Sequence, residues 1–166
     1  HQITQAMLRW MAPFLSFTAE EAWKLVGTSE SIFLETYSAL GTPDDALLAK
    51  WSRVRAVREL VNKQIETVRS EGRVGASLQA NVAVTVEPAD HALLASLGDD
   101  LRFAFITSAV TLAAGTPAVE VTPATASKCD RCWHYVEDVG ADSQHPALCG
   151  RCISNLFGAG ETRSFV

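Results

Sequence analysis

The sequence predicts an α+β protein with a helical first part, a small α/β unit and a compact four-cysteine module at its end. Three observations carry that expectation. Apolar residues recur at helical 3–4 spacing from Ile3 to Val68. A period of two takes over at Val82, Val84 and Val86. All four cysteines fall in one late segment, spaced C-x2-C-x16-C-x2-C. The expected boundaries are 1–80, 81–124 and 125–166.

At 166 residues the chain is long enough for one or two domains with a real core. Apolar residues make up 48% and charged residues 20%, an ordinary globular composition. No apolar run approaches the roughly 18–20 residues a membrane-spanning helix needs. HQITQAMLRW has no basic start, continuous apolar stretch or cleavage site, so it does not read as a secretory signal. There is no initiator Met, and a helical pattern already runs at Ile3 without a cap. Both features suggest a piece of a longer protein, with His1 read as a tag remnant. The net charge of −5 argues against a polycation that grips nucleic acid without specificity.

Taken in order, Ile3, Met7, Leu8 and Met11 predict a first helix ended by Pro13. Thr18 with Glu21 reads as a capping box opening a second helix, which carries Ala22, Trp23, Leu25 and Val26 and stops at Gly27. SIFLETY (31–37) is expected to be extended. Gly41-Thr42-Pro43, followed by Asp44 and Asp45, opens a long helix over 43–71, its acidic start suited to the positive end of the helix dipole. Leu47, Trp51, Val54, Val57, Val61, Ile65 and Val68 trace its apolar stripe until Gly72.

Seven basic and three acidic residues between Leu47 and Arg73 give that stretch a local net of +4. Arg55, Arg69 and Arg73 lie within about 40° of one another on a helical wheel. They are either a solvated face with pairs such as Glu59–Lys63, or a ridge that follows phosphates. Arg58 falls inside the apolar stripe and is expected to find a buried partner or reach over the helix edge.

Val82, Val84 and Val86 then predict a half-buried strand closed by Pro88. Short helices are expected over Ala89–Leu97 and Asp99–Phe105, and strands in ITSAVTLAAG and PAVEV. TPATAS (122–127) reads as a linker.

Cys129, Cys132, Cys149 and Cys152 have the spacing of a four-cysteine zinc site. Each two-residue gap lets one knuckle present two thiolates to a tetrahedral ion. The module's apolar stock is thin: Trp133, Tyr135, Val136, Val139, Leu148, Ile153, Leu156 and Phe157. So small a core needs a metal or disulfides, and zinc supplies roughly 10–16 kcal/mol in comparable peptides. Nothing in the chain signals the oxidising compartment that disulfides require. A redox site would use one Cys-x-x-Cys in a βαβ unit rather than two knuckles. Four thiolates leave no open position, so one structural zinc is expected, with His134 and His145 as bystanders.

Arg131 and Arg151 occupy equivalent places in the two knuckles. They either offset the negative charge of a four-thiolate zinc or point toward RNA phosphate. Trp133 is read either as core or as a platform for an unpaired base. From Ala124 to Val166 there are four basic and five acidic side chains, a poor electrostatic anchor.

MAPFLSFTAEEAW (11–23) resembles a late helix of the anticodon-binding bundle in class I aminoacyl-tRNA synthetases of the isoleucine/valine/leucine group. VRAVRELVNKQIETVRSEGRVGASLQANVAV (54–84) is similar to the long helix and first junction strand that follow, most of all in the isoleucine branch. KCDRCWHYVEDVG with LCGRC and ISNL looks like the C-terminal zinc module of bacterial isoleucyl-tRNA synthetases.

The resemblance implies a partial anticodon-binding bundle, a small α/β junction unit and a C-terminal zinc module. It implies a cytoplasmic, monomeric parent enzyme that activates isoleucine with ATP and charges its tRNA. The partners it implies for this chain are isoleucine tRNA and the parent's catalytic and editing domains, with no membrane. The family's two ATP-site signatures do not occur in these residues, so no catalytic residue is expected here and ATP belongs to the missing catalytic domain. The metal ligands carry over as Cys129, Cys132, Cys149 and Cys152. The tRNA contacts expected are Arg55, Arg69, Arg73, Arg131, Trp133 and Arg151.

Formamidopyrimidine-type DNA glycosylases end in a similar finger and form the alternative. Against it, the chain starts His1-Gln2 where such an enzyme needs Pro-Glu, and fourteen residues follow Cys152. A purely structural zinc module that touches no RNA is a further alternative.

Overall fold

The computed structural model describes residues 1–162. The described residues divide into two compact units, one over residues 1–44 and one from residue 45 onward.

The first unit pairs helix α1 (Gln2–Met11) with α2 (Ser16–Val26), followed by a single 3-10 turn at Ile32–Leu34. Pro13 stops α1, and the chain turns back as Phe14 and Leu15 donate to the Met11 carbonyl. Because that turn is so tight, α2 starts at Ser16. Thr18 therefore lies inside the first turn instead of capping it, and the Ser16 hydroxyl bonds back to the Ala12 carbonyl. The core consists of Leu8, Ala12, Ala19, Trp23 and Ile32. Trp23 is fully buried and its Nε1 donates to the Ser29 carbonyl at 3.2 Å. α2 ends at Gly27, where the backbone turns extended, and a Cβ there would sit 2.3 Å from the Trp23 indole.

Two expectations are corrected here. Ile3, Met7 and Leu25 are exposed, since each helix meets its neighbour along a narrow strip only. SIFLETY is not extended throughout: Ser31 and Glu35 are, but Ile32–Leu34 form a 3-10 turn. Glu20 Oε2 accepts from both the Ile32 amide and the Ser31 hydroxyl, and Ser31 Oγ accepts from the Phe33 amide, which curls the segment into the 3-10 turn.

The second unit starts with α3 (Asp45–Ser70). Strands β1 (Ala80–Val86), β2 (Ala109–Ala114) and β3 (Ala118–Pro123) form a sheet of order β2-β1-β3. β1 and β2 are parallel, joined across α4 (Pro88–Ala95) and α5 (Leu101–Phe105), while β3 returns antiparallel to β1. One sheet face, from Ala80, Val82, Val84, Val86 and Val121, packs with Val54, Val57, Val61, Ile65 and Val68 of α3 and with Leu94, Leu97, Leu101 and Phe105. Fully burying each such aliphatic side chain contributes about 1.5–3 kcal/mol. Leu47, the first residue expected in the stripe, is half exposed. Packing thus places α3 in the same unit as the sheet, whereas the sequence boundary at 80 follows motifs.

α3 ends in a Schellman motif: Gly72 (φ 74°) donates to the Arg69 carbonyl and Arg73 to the Val68 carbonyl. The same motif closes α5, with Ile106 in the left-handed position (φ 57°) and Thr107 donating to the Arg102 carbonyl. That turn delays β2 to Ala109, three residues later than ITSAVTLAAG suggested. Arg53 of α3 grips Asp90 of α4 in a two-pronged ion pair, with Nε to Oδ1 at 2.6 Å. Arg58 is half-buried, and its Nε is buried without a hydrogen-bond partner among the described residues, so the expected buried partner does not appear.

The last part of this unit is a two-stranded ribbon, β4 (Ser127–Lys128) with β5 (Tyr135–Val136), followed by helix α6 (Gly150–Phe157).

Candidate metal centre and nucleic-acid interface

The first knuckle is the turn of the β4–β5 ribbon. The Cys129 amide donates to the His134 carbonyl and the Trp133 amide to the Cys129 carbonyl, each at 2.9 Å. Such a tight turn forces Trp133 into the left-handed region at φ 65°, a conformation that usually goes to glycine. The second knuckle runs into α6, with Cys149 at its start. Asp138 Oδ2 accepts the Gly150 amide at 2.8 Å, and the Asp130 amide donates to the Ala147 carbonyl, tying the two knuckles together.

The four Sγ atoms converge within 4.8 Å of one another, and Cys132 Sγ lies 3.8 Å from Cys149 Sγ. A tetrahedral zinc with bonds of about 2.3 Å sets its sulfurs about 3.8 Å apart, so the cage has the size the ion needs. No cysteine is in a disulfide. Cys129, Cys149 and Cys152 are buried and Cys132 is half-buried.

Burial pushes the Cys129 thiol up. Backbone amides of Cys132, Cys149 and Arg131, with the Cys132 side chain, outweigh it and bring the group down to about 6. Cys149 is pushed up to about 12, chiefly by burial. The donor set thus holds one stabilised thiolate and thiols whose protons a metal must displace.

The arginines of the two knuckles turn toward the sulfurs. Arg131 Nη1 lies 3.6 Å from Cys152 Sγ. Arg151 is held protonated against its own burial by Cys132 and Glu161, and pairs with Glu161 Oε1 at 3.2 Å. Trp133, by contrast, is 59% exposed, so it is not core. Its Nε1 donates to the Asp130 carbonyl and the Lys128 ammonium lies 5.3 Å from its ring centroid, leaving a fixed aromatic plate facing water. Leu156 and Phe157 are exposed too, with Phe157 stacked on His145 at 4.1 Å.

On α3, Arg55 is exposed and makes no ion pair among the described residues. Arg69 pairs with Glu66 at 2.6 Å and Arg73 with Glu71 at 3.3 Å. Arg55 and Arg69 are exposed on α3, but Arg73 lies past its end at Ser70, beyond the left-handed Gly72, so the common helical face expected for the three does not extend to Arg73.

Sequence reasoning missed the residues that seat the finger. Phe103 of α5 meets His134 edge-on at 5.3 Å and lies under the Arg151 guanidinium at 4.7 Å. Ser108 Oγ accepts the Tyr135 amide at 2.7 Å, and Gln79 Nε2 donates to the Tyr135 hydroxyl at 3.1 Å. No local pattern marks these contacts, because their partners are 27 and 56 residues apart.

Comparison with known proteins bears on both halves. Residues 126–155 match the zinc finger found in FPG and IleRS, a finger shared by both readings weighed above. Residues 1–84, half of the chain, match the anticodon-binding domain of tRNA ligases. The chain belongs to that family. A tRNA-ligase anticodon-binding domain followed by this finger favours the synthetase reading over the glycosylase one.

The chain is 53% identical over 98% of its length to an isoleucine–tRNA ligase of Thiobacillus denitrificans. It is 54% identical over 99% to that of Ralstonia pickettii, and 53% identical over 99% to isoleucine–tRNA ligase 1 of Burkholderia mallei. It spans 18% of the length of each of these relatives. Among the described residues of this anticodon-binding chain, no helix is long and apolar enough to cross a membrane.

Proposed function

We propose that the chain is the tRNA-handling part of an isoleucine–tRNA ligase, with a partial anticodon-binding bundle (1–80), a junction unit (81–124) and a zinc module (125–166). What carries this reading is one juxtaposition: an anticodon-binding segment over residues 1–84 and a converged four-thiol cage in a single chain. In this reading Cys129, Cys132, Cys149 and Cys152 hold one zinc. The ion supplies no reaction chemistry; with four thiolates it serves as a fold-closing clip.

The chain's own residues do the binding. Arg55 and Arg69 on α3, with Arg73 just past its end, face phosphates. Trp133, held out by its strained turn, offers a face on which an unpaired anticodon-side base can stack. Arg131 and Arg151 work mainly by offsetting thiolate charge and touch RNA only secondarily. Activation of isoleucine with ATP and editing belong to other domains of a cytoplasmic, monomeric parent, and this chain aligns isoleucine tRNA for them.

A purely structural role for the zinc module is the second reading, favoured by the contact of Arg131 with Cys152 Sγ. Titrating the zinc-loaded chain with isoleucine tRNA separates the two. If the module meets RNA, Trp133→Ala lowers affinity by roughly 1–3 kcal/mol, the scale of one base–aromatic stack, while one zinc is retained. Unchanged affinity moves the module to the structural reading.

A further inference from the structure

Gln79 occupies an unusual junction. Its Oε1 accepts the Gly75 amide at 2.6 Å and the Ala76 amide at 3.2 Å, closing the loop that follows the α3 cap. Its Nε2 donates to the Tyr135 hydroxyl, three residues past the first zinc knuckle. Its backbone carbonyl accepts the Ala124 amide at 2.7 Å, where the linker to the finger leaves β3. One side chain thus bonds both the loop beside Arg73 and the ribbon that carries Trp133.

The loop is shaped for this contact. A Cβ on Gly75 would lie 3.0 Å from Gln79 Oε1, so a larger residue there would press on the accepting side chain. Ser108 braces the same joint. It is 1% exposed, accepts the Tyr135 amide and donates to the Leu78 carbonyl at 2.6 Å. Tyr135 is therefore pinned at both its backbone and its hydroxyl, and Ser108 holds the residues on either side of Gln79, its hydroxyl donating to the Leu78 carbonyl and its amide to the Ala80 carbonyl.

We propose that Gln79 and Tyr135 are positioning residues. They lock the basic end of α3 to the zinc knuckle, so that Arg69, Arg73 and Trp133 meet RNA as one preorganised surface. The proposal rests on the tRNA-handling reading above, but the joint itself can be tested without RNA. Neither residue is a metal ligand and neither needs to touch RNA. Their effect is to spare the bound state the ordering of two separately mobile elements.

The test uses the zinc-loaded chain and three variants, Tyr135→Phe, Gln79→Met and Gln79→Glu. Zinc content, amide hydrogen exchange at residues 75–79 and titration with isoleucine tRNA at several salt concentrations are read on each. Tyr135→Phe removes only the hydroxyl and leaves the Ser108 bond. It is expected to keep one zinc, speed exchange at Gly75 and Ala76 about two- to tenfold, as loss of one net hydrogen bond implies, and weaken tRNA binding. The salt dependence should become shallower by up to about two phosphate contacts as Arg69 and Arg73 disengage. Gln79→Met should do the same. Gln79→Glu keeps an acceptor for both amides and for the Tyr135 hydroxyl proton, and should restore protection.

Unchanged exchange at 75–79 in both Tyr135→Phe and Gln79→Met overturns the proposal. So does weaker RNA binding by Tyr135→Phe while those amides stay protected. If the unsubstituted chain binds no tRNA, the functional reading falls, and the exchange arm alone still decides whether the joint exists.

Discussion

Asp138 and Gly150 meet where the second knuckle becomes a helix, the carboxylate accepting the glycine amide at 2.8 Å. Cys149 stands at the start of α6 but gives no side-chain cap, since its sulfur faces the metal cage. Asp138, from across the loop, supplies the missing acceptor and a negative charge at the positive end of the helix.

That contact predicts a paired result. A Cβ at Gly150 would fall 2.8 Å from Asp138 Oδ2, so Gly150→Ala must push the carboxylate away. Asp138→Ala removes it outright. Each is expected to lower the stability of the finger by about 1 kcal/mol, the usual worth of a helix cap. Chelator competition should show earlier zinc release in both, and the double variant should lose little more than either single one.

Removing one ligand has a larger effect. Cys149→Ser opens the tetrahedral shell, so the finger should lose its zinc and its ordered ribbon. The sheet, whose core comes from α3, β1, α4 and α5, should stay folded. Zinc content and amide exchange measured together check this. A folded finger with one bound zinc would contradict the ligand set.

The pH dependence follows from the same thiols. Cys129 sits at about 6, below its ordinary value, so its contribution is present above that ordinary value and is lost as pH falls through about 6. Cys149 is pushed up to about 12, so zinc must displace its proton, and affinity rises with pH. Zinc retention against a chelator should therefore increase from pH 7 to 8 and fall most steeply on acidification through pH 6. A flat profile would contradict it.

In the first unit, Gly27→Ala drives a methyl to within 2.3 Å of the fully buried Trp23 ring. Overpacking of this kind costs about 1–3 kcal/mol, and Trp23 fluorescence during urea unfolding should report it. The opposite sign is expected at Thr107. It is fully buried and its hydroxyl has no partner among the described residues, so the similar-shaped Thr107→Val should stabilise the second unit by about 1 kcal/mol.

What the sequence made legible was what short-range geometry dictates. Two Cys-x-x-Cys gaps constrain their sulfurs wherever the loop goes, and the stripe from Val54 to Val68 needs only the helical period. The helix stop at Gly72 was legible as well, since a glycine past the last stripe residue marks a helix end. Trp133 was not, because its exposure depends on a left-handed turn that the knuckle imposes on a bulky residue. SIFLETY reads as extended, yet the Glu20 carboxylate recruits the Ile32 amide and Ile32–Leu34 curl into a 3-10 turn. The seating of the finger through Phe103, Ser108, Gln79 and Tyr135 is tertiary throughout, so no window of sequence could display it.

The measurement that bears most directly on the central claim is a titration of this chain with isoleucine tRNA and with an anticodon-altered version. It is run at one fixed salt concentration, with zinc present and after chelation. The account predicts a preference for the native tRNA that disappears when zinc is removed and returns when it is restored. Equal binding of the two tRNAs, with or without zinc, would contradict it.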